Sequence, residues 1–374
     1  MYNINEKRVL EEFFQLVQIP CSTLKEREIA DILTEKLTAL GGTVHEDNAG
    51  ETLGGNAGNL IADFAGTVDN SPCIMLTAHM DCVEPCHGIK PILENGVIRS
   101  DGTTILGSDD KAGVVAILEA LRQIKENNIP HGSLQVVFTI AEEGGVNGSR
   151  VLESRFLHAD YGYTLDTHGS PGVISFKAPG KNQLHFRIQG KTAHAGVAPE
   201  KGINAIMTAA KVLAEAPQGR IDEETTCNLG KINGGTANNV VPEFCDIHYE
   251  TRSRDKKKLD SITEKVINAV KKAEEYGCKV TVELKKDYDP YTIDMENKGV
   301  KIVKKAMENM SIEPHFEESG GGSDANQFNS YGIPTVVLGV GMTDCHTVQE
   351  TILEKDLYDS ARLALGIITE AMNV

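Results

Sequence analysis

The stretch Cys73-Ile-Met-Leu-Thr-Ala-His79 is an almost unbroken apolar run that stops at a histidine, and it decides how the surrounding chain folds. Runs of similar character recur at residues 59–64, 134–140 and 161–165. Strands that are apolar along most of their length are typical of parallel sheets covered on both faces. Residues 111–125 carry an apolar stripe at helical spacing between two of these runs. The alternation of strands and helices predicts an α/β domain with a largely parallel sheet.

A helix is also predicted near the N-terminus. Thr23 and Glu26 have the spacing of a capping box, in which each side chain satisfies a backbone N–H of the first turn. Apolar residues then recur at helical spacing between Ile29 and Leu40. We therefore expect the helix to begin at this pair.

The pattern changes after Gly180. An alternating strand at residues 183–188 is followed by a helix, two strands, a charged helix and a last strand. This β-α-β-β-α-β order predicts a ferredoxin-like α+β sandwich. We expect an inserted domain at residues 181–292, with one α/β domain built from residues 1–180 and 293–374.

Composition excludes several classes of function. The formal net charge is −17, from 37 Lys and Arg against 54 Asp and Glu, so neither a nucleic acid nor an anionic membrane is an expected partner. The N-terminus lacks the apolar core of a signal peptide. The eight cysteines are scattered along a long chain, which favours reduced thiols in a cytoplasm. Cys82 and Cys86 lack a second cysteine pair, so we interpret them as ordinary thiols rather than metal ligands.

Acidic and histidine side chains follow the predicted strands. His79, the Glu142–Glu143 pair and Asp166 each come directly after one strand, and Asp109 precedes a helix. His346 follows the strand at residues 334–339 after a short loop. In open α/β sheets, ligands bind outside the carboxyl ends of the strands. We therefore expect these residues to meet at one edge of the sheet.

Imidazole and carboxylate groups are ligands that zinc prefers, at about 2.0–2.2 Å. Two ions need something shared between them, and a carboxylate has two oxygens with which to bridge. A two-metal site lowers the pKa of a shared water and polarises a carbonyl group. The Glu142–Glu143 pair can supply one ligand and one general base, and Asp81 can reach back to the other nitrogen of His79.

Each of these pieces has an ordinary explanation when it stands alone. A lone histidine is more often a surface or core residue, and an isolated Glu-Glu pair is usually a solvated turn. Asp109 and Asp110 have the spacing of a helix cap. Their joint arrangement at strand ends is what favours a metal centre.

At these residues the sequence resembles the peptidase T-like branch of the cocatalytic zinc exopeptidases, relatives of carboxypeptidase G and aminoacylase. The resemblance covers nearly the whole chain, including the inserted domain. It rests on His79-Met-Asp81, Gly107-Ser-Asp-Asp-Lys-Ala-Gly113, Glu142-Glu143-Gly144, Asp166, Gly190-Lys-Thr-Ala-His-Ala-Gly196, Asn239-Val-Val-Pro242, Arg252 and His346. It implies a zinc-exopeptidase-like catalytic domain and an inserted lid that also forms a homodimer.

The resemblance also implies a role for each matching residue. His79 and Asp166 would bind one metal ion, Glu143 and His346 the other, and Asp109 would bridge them, with a cis peptide to Asp110. Glu142 would be the general base and acid, and Asp81 would orient His79. His194 would stabilise the oxyanion, often from the partner subunit. Asn239 and Arg252 would hold the substrate. The expected cofactors are two divalent ions, with zinc favoured over manganese or cobalt.

The implied activity is release of the N-terminal residue from small peptides, above all tripeptides. One departure bears on substrate length: Gly320 stands where tripeptidases of this kind carry an arginine, before the loop that ends at Asp324. The metal ligands cannot separate a peptidase from a deacylase of N-acyl amino acids, because both cleave an amide bond with the same water. A non-catalytic binding protein is disfavoured because Glu142 and all five ligand positions are intact.

Overall fold

The computed structural model describes residues 2–373. The helices are α1 Glu6–Val17, α2 Arg27–Leu40, α3 Ala49–Leu53, α4 Ser108–Glu126, α5 Asn147–Val151, α6 Ala205–Leu213, α7 Lys256–Lys271, α8 Lys298–Asn309, α9 Asp324–Ser330 and α10 Glu354–Glu370. The strands are β1 Thr43–Glu46, β2 Leu60–Phe64, β3 Ile74–His79, β4 Ile92–Glu94, β5 Val97–Arg99, β6 Leu134–Thr139, β7 Tyr161–Thr167, β8 Val173–Ala178, β9 Gly180–Gln189, β10 Gly219–Arg220, β11 Thr225–Gly234, β12 Phe244–Ser253, β13 Lys279–Tyr288, β14 Tyr291–Thr292, β15 His315–Glu318, β16 Thr335–Gly339, β17 Met342–Thr343 and β18 Thr351–Leu353.

A mixed sheet organises the first of two compact units, which comprises the chain up to Lys177 and from Thr292 onward. Its strands lie in the order β1-β2-β6-β3-β7-β16-β8. The four central strands, β6, β3, β7 and β16, run parallel, and antiparallel strands flank them. Every residue of β3 and β6 is buried, as their continuous apolar runs require. The prediction of a largely parallel α/β sheet is confirmed.

The second unit, Ala178–Tyr291, has its own antiparallel sheet. Its main strands lie in the order β11-β12-β9-β13, and β10 extends the β11 edge. Along the chain the order is β9, α6, β11, β12, α7, β13, which is the β-α-β-β-α-β order of a ferredoxin-like sandwich. Alternate residues of β9 and β12 pack against α6 and α7 in a separate apolar core. The sequence predicted residues 181–292 for this unit.

The capping-box prediction is wrong. Helix α2 begins at Arg27, and no side chain caps its N-terminus. The Thr23 hydroxyl instead donates to Asp81 Oδ2 at 2.7 Å, and Glu26 Oε1 accepts from the Leu24 N–H at 2.7 Å. Glu26 Oε1 also accepts from the Ala141 N–H after β6 at 3.1 Å. Tertiary contacts of both side chains therefore override a local spacing that fits a helix start.

Glycine allows helix α4 to approach the sheet closely. A Cβ atom at Gly113 would lie 2.4 Å from the Leu165 carbonyl oxygen of β7, so a larger residue there would push helix and strand apart. This close approach brings the start of α4, which carries Asp109, towards β7, which carries Asp166. Among residues 2–373, no helix combines the length and apolar character needed to cross a membrane.

Candidate metal centre

The first unit brings together five predicted ligands from five separate segments. His79 is the last residue of β3, and Glu143 lies in the turn after β6. Asp166 lies within β7, which continues to Thr167 and so does not end before it as predicted. Asp109 stands at the start of α4 with non-helical φ −85° and ψ 101°, and its peptide bond to Asp110 is cis. His346 lies in the loop after β17 with φ 64°.

These side chains form two overlapping groups that share Asp109. The first group is His79, Asp109 and Asp166, and the second is Asp109, Glu143 and His346. His79 Nε2 lies 2.9 Å from Asp109 Oδ1 and 3.8 Å from Asp166 Oδ1. His346 Nε2 lies 3.2 Å from Asp109 Oδ2 and 2.9 Å from Glu143 Oε2. The two oxygens of Asp109 therefore face different histidines, which is the arrangement a bridging carboxylate needs.

The donor atoms fit a pair of divalent cations. Each group offers one imidazole nitrogen and carboxylate oxygens, a set that zinc prefers. Glu143 Oε1 is buried and has no hydrogen-bond partner in the described structure. A buried carboxylate oxygen without a partner is costly unless a cation or a donor satisfies it. The cluster therefore has the ligand types that a metal ion needs, and it has a buried carboxylate oxygen that a metal ion would satisfy.

Burial and mutual contacts raise the pKa values of His79, His346 and Asp166. Burial lowers the pKa of His79, but contacts with Asp109 and Asp81 outweigh it, so that this pKa lies well above its usual value. Hydrogen bonds to Asp109 and Glu143 raise the pKa of His346 to about 10. Burial raises the pKa of Asp166 well above its usual value, although His79 opposes the shift. So crowded a group of carboxylates favours a bound cation.

Glu142, the predicted general base, lies in the turn that also carries Glu143. It follows β6 in a tight turn, where its carbonyl oxygen accepts from the N–H groups of Gly145 and Val146 at 2.8 and 2.6 Å. Burial raises the pKa of its carboxyl group well above the usual value, His79 lowers it, and the charge of Asp324 raises it further. A raised pKa is what a carboxyl group needs in order to hold a proton between taking it up and returning it.

Asp81 contacts more of the site than its predicted role requires. His79 Nδ1 lies 3.0 Å from the Asp81 carbonyl oxygen and 3.5 Å from its carboxylate Oδ1, so the nearer partner is the backbone. The carboxylate accepts from the N–H of Glu142 at 3.0 Å, from that of Glu143 at 3.3 Å and from the Thr23 hydroxyl. Asp81 therefore fixes the turn that carries the candidate base as well as lying beside His79.

Sequence reasoning missed Glu350. Its side chain is buried, and it accepts four hydrogen bonds from the loop that carries Asp109. The N–H groups of Leu106 and Gly107 donate to Oε2, both at 2.8 Å. The Ser108 hydroxyl and the Asp109 N–H donate to Oε1 at 2.6 and 3.1 Å. The only signal in the sequence is its position four residues after His346, which does not reveal what it contacts.

The remaining predicted residues lie in the second unit. His194 is exposed, and its Nδ1 accepts from the Gly196 N–H at 3.2 Å. It forms an isolated bridge with Val240, and the Ala195 N–H donates to the Asn239 carbonyl oxygen at 3.0 Å, so the two loops that carry His194 and Asn239 are adjacent. Asn239 is exposed as well.

Arg252 already has a carboxylate partner. Its Nε and Nη2 donate to the two carboxylate oxygens of Glu250 at 3.0 and 3.3 Å. A guanidinium group binds a carboxylate through this same bidentate geometry. A substrate carboxylate would therefore compete with Glu250 for Arg252.

The fold and these residues define a class of protein. Residues 75–370 match Peptidase family M20/M25/M40, and the chain belongs to that family. The predictions of a peptide hydrolase and of a peptidase T-like relationship are confirmed.

Two solved structures and one curated protein are similar to this chain over most of its length. The structure is similar to that of aminopeptidase PepT from Bacillus cereus, with a TM-score of 0.91, 44% identity and coverage of 98% of this chain and 99% of that chain. It is also similar to a tripeptidase from Staphylococcus aureus, with a TM-score of 0.94, 40% identity and coverage of 99% and 100%. Peptidase T of Fusobacterium nucleatum is 29% identical over 347 residues, which cover 90% of this chain and 82% of that protein.

Proposed function

We propose that this protein is a metal-dependent exopeptidase that releases the N-terminal residue of small peptides. The observation that carries the proposal is the position of Asp109, whose two oxygens face His79 and His346 at 2.9 and 3.2 Å. Asp166 completes one group and Glu143 completes the other. This arrangement supports two divalent ions that share one carboxylate, with zinc as the first candidate and manganese or cobalt as alternatives.

The roles of the protein groups follow from their positions. Two ions at this site would supply an acidified water and a polarised substrate carbonyl. Glu142 would take the proton from the attacking water and return it to the leaving amine. Asp81 would keep Glu142 in place through the backbone hydrogen bond described above. His194 would donate to the oxyanion, and Asn239 and Arg252 would hold the substrate, as in the family that the chain resembles.

The role of Glu142 is tested with the variant Glu142→Gln, which keeps the shape of the side chain and removes its ability to accept a proton. We expect metal content to be unchanged and kcat to fall on the order of 10²–10⁴-fold, the usual contribution of a general base. Glu153→Gln is the matched control, because Glu153 is exposed and its carboxylate pairs with the neighbouring Arg155. Turnover within a few-fold of wild type in Glu142→Gln would remove this residue from the mechanism.

Gly320 is the position at which a preference for substrate length can be tested. A Cβ atom at Gly320 would meet no atom within 4 Å, so an arginine can be introduced there without a backbone clash. We would compare wild type and Gly320→Arg on di-, tri- and tetrapeptides and on N-acetyl amino acids, with mass-spectrometric detection. A shift of Gly320→Arg towards tripeptides supports a role for this position in reading length. Cleavage of acylated amino acids alone would make the protein a deacylase.

The cellular compartment and the oligomeric state of the protein are also proposals. We infer a cytoplasmic protein that forms a homodimer through the second unit, with neither nucleic acid nor membrane among its partners. The acidic charge balance, the eight free cysteines and the family resemblance support this. Sedimentation equilibrium of the full chain tests the dimer, and a monomeric mass at micromolar concentration would contradict it.

A further inference from the structure

The loop after β3 carries two cysteines whose thiols point to different surroundings. Cys82 Sγ lies 3.7 Å from Cys21 Sγ and accepts from the buried Lys111 ammonium group at 3.2 Å. Cys86 is also buried, and its Sγ lies 3.4 Å from the Ser22 hydroxyl. Within residues 2–373, Cys86 belongs to a group of side chains that could bind a metal and Cys82 does not, so the two thiols need separate explanations.

Cys86 stands beside a carboxylate and an imidazole. One donor atom each from Glu84, Cys86 and His87 lies within 4.8 Å of the other two. Glu84 Oε2 accepts from the Cys86 N–H at 3.1 Å, and Glu84 Oε1 accepts from the Ser22 hydroxyl. These hydrogen bonds fix the Glu84 carboxylate next to the backbone of Cys86. The group shares no residue with the two groups built on Asp109.

The distance between the Glu84 and His87 donors is that of two ligands around a tetrahedral ion. Zinc–nitrogen and zinc–oxygen bonds of about 2.0–2.2 Å at tetrahedral angles place the two ligand atoms about 3.4 Å apart. Glu84 Oε1 and His87 Nε2 lie 3.4 Å apart, which is longer than a good hydrogen bond. A zinc–sulfur bond of about 2.3 Å needs the sulfur about 3.6 Å from the other two ligands. The three donor atoms lie within 4.8 Å of one another, so the sulfur would have to move closer to the other two by at most about 1.2 Å.

We propose that Glu84, Cys86 and His87 form a separate binding site for one divalent cation, with zinc or cobalt as the chemistry that the donors fit. The side chains of Glu84 and His87 are 55% and 63% exposed, so an ion can reach them from solvent. The thiol must lose its proton to bind, so binding releases a proton and weakens at acidic pH. Three protein ligands leave a fourth position for water, which is the composition of an open site rather than a closed structural one.

Cobalt distinguishes this site from the dinuclear centre. A thiolate bound to Co²⁺ gives an intense near-ultraviolet charge-transfer band, whereas the Asp109-centred groups contain only imidazole and carboxylate ligands. We would titrate the metal-free full-length protein with Co²⁺ and follow this band. We expect the band intensity in wild type to correspond to one thiolate-bound Co²⁺ per chain. The band should be lost in Cys86→Ser, and in His87→Asn it should need a much higher cobalt concentration to appear. His87 is exposed, so its variant keeps the test valid if Cys86→Ser does not fold.

Matched controls exclude other thiols and general effects of substitution. Cys227→Ser and His158→Asn change the same residue types away from the loop and should keep the band. Cys345→Ser addresses the cysteine that directly precedes the dinuclear ligand His346 in the sequence. The proposal is overturned if wild type shows no band or if the band survives in Cys86→Ser. It is also overturned if the band is lost in Cys345→Ser but retained in Cys86→Ser. Because the readout is spectroscopic, failure of the proposed peptidase activity would leave this test unaffected.

Discussion

Replacement of Glu350 tests whether one buried carboxylate holds the loop that carries Asp109. In Glu350→Ala, four donors in residues 106–109 lose their acceptor at once. In Glu350→Gln, one side-chain oxygen remains and still accepts two hydrogen bonds. An NH₂ group replaces the other oxygen and leaves its two donors without an acceptor. The two variants therefore separate removal of the whole acceptor from removal of half of it.

The magnitude follows from the four contacts. A buried donor left without an acceptor costs about 1–3 kcal/mol. Four such donors would cost about 4–12 kcal/mol if the terms were additive, and water entering the space of the lost side chain offsets part of this. We expect the free energy of unfolding to fall by about 4 kcal/mol in Glu350→Ala and by about 2 kcal/mol in Glu350→Gln. Because Asp109 is in this loop, zinc affinity should fall roughly 10–100-fold.

The assay combines urea unfolding with a zinc titration of the folded fraction. Glu354→Gln is the matched control, because Glu354 lies at the start of α10 and its carboxylate accepts from Tyr358 rather than from the Asp109 loop. A loss of stability with unchanged zinc affinity would mean that Glu350 only supports the fold. The reasoning is refuted if Glu350→Ala behaves like Glu354→Gln in both measurements.

Three further predictions concern neighbouring groups. Asp109→Asn should lose stoichiometric zinc in equilibrium dialysis, because it replaces the carboxylate that the two groups share, and full retention would contradict a bridge. Thr23→Val should weaken zinc binding roughly tenfold by removing a hydrogen bond to Asp81, which an unchanged titration would disprove. Burial, with the charge of Asp81, raises the pKa of Glu26 to about 7, against about 4.3 in the unfolded chain. Relative to Glu26→Gln, wild type should therefore lose up to about 3 kcal/mol of stability as the pH rises from about 4.3 to 7; parallel urea-derived pH profiles would contradict this.

Much of the first unit could be predicted because its signals are local. The run at residues 134–140 is short and rich in β-branched residues, which favours a buried strand over a helix, and β6 covers Leu134–Thr139. Histidine and carboxylate residues after such runs share one sheet edge because parallel strands end together. The five predicted ligands that lie close together in the structure were accessible to this argument because each lies in or close to a regular element.

Other contacts could not be predicted because they join residues distant in sequence. The Thr23–Asp81 hydrogen bond spans 58 positions and displaces the expected helix cap. Glu350 contacts a loop more than 240 positions earlier, and nothing in its own neighbourhood indicates that partner. A local spacing describes what a segment prefers in isolation, whereas the packed sheet edge offers buried donors and acceptors a stronger alternative.

The sequence by itself determined the fold class, the two-part organisation and the residues available to bind metal, because apolar periodicity and residue type are properties of short segments. Only the tertiary structure decided that the two oxygens of Asp109 face separate histidines and that Asp81 and Glu350 fix the loops around them. It also separated Cys86 from Cys82 by placing one beside His87 and the other beside Lys111. These distances depend on how separate segments pack, and no spacing along the chain encodes them.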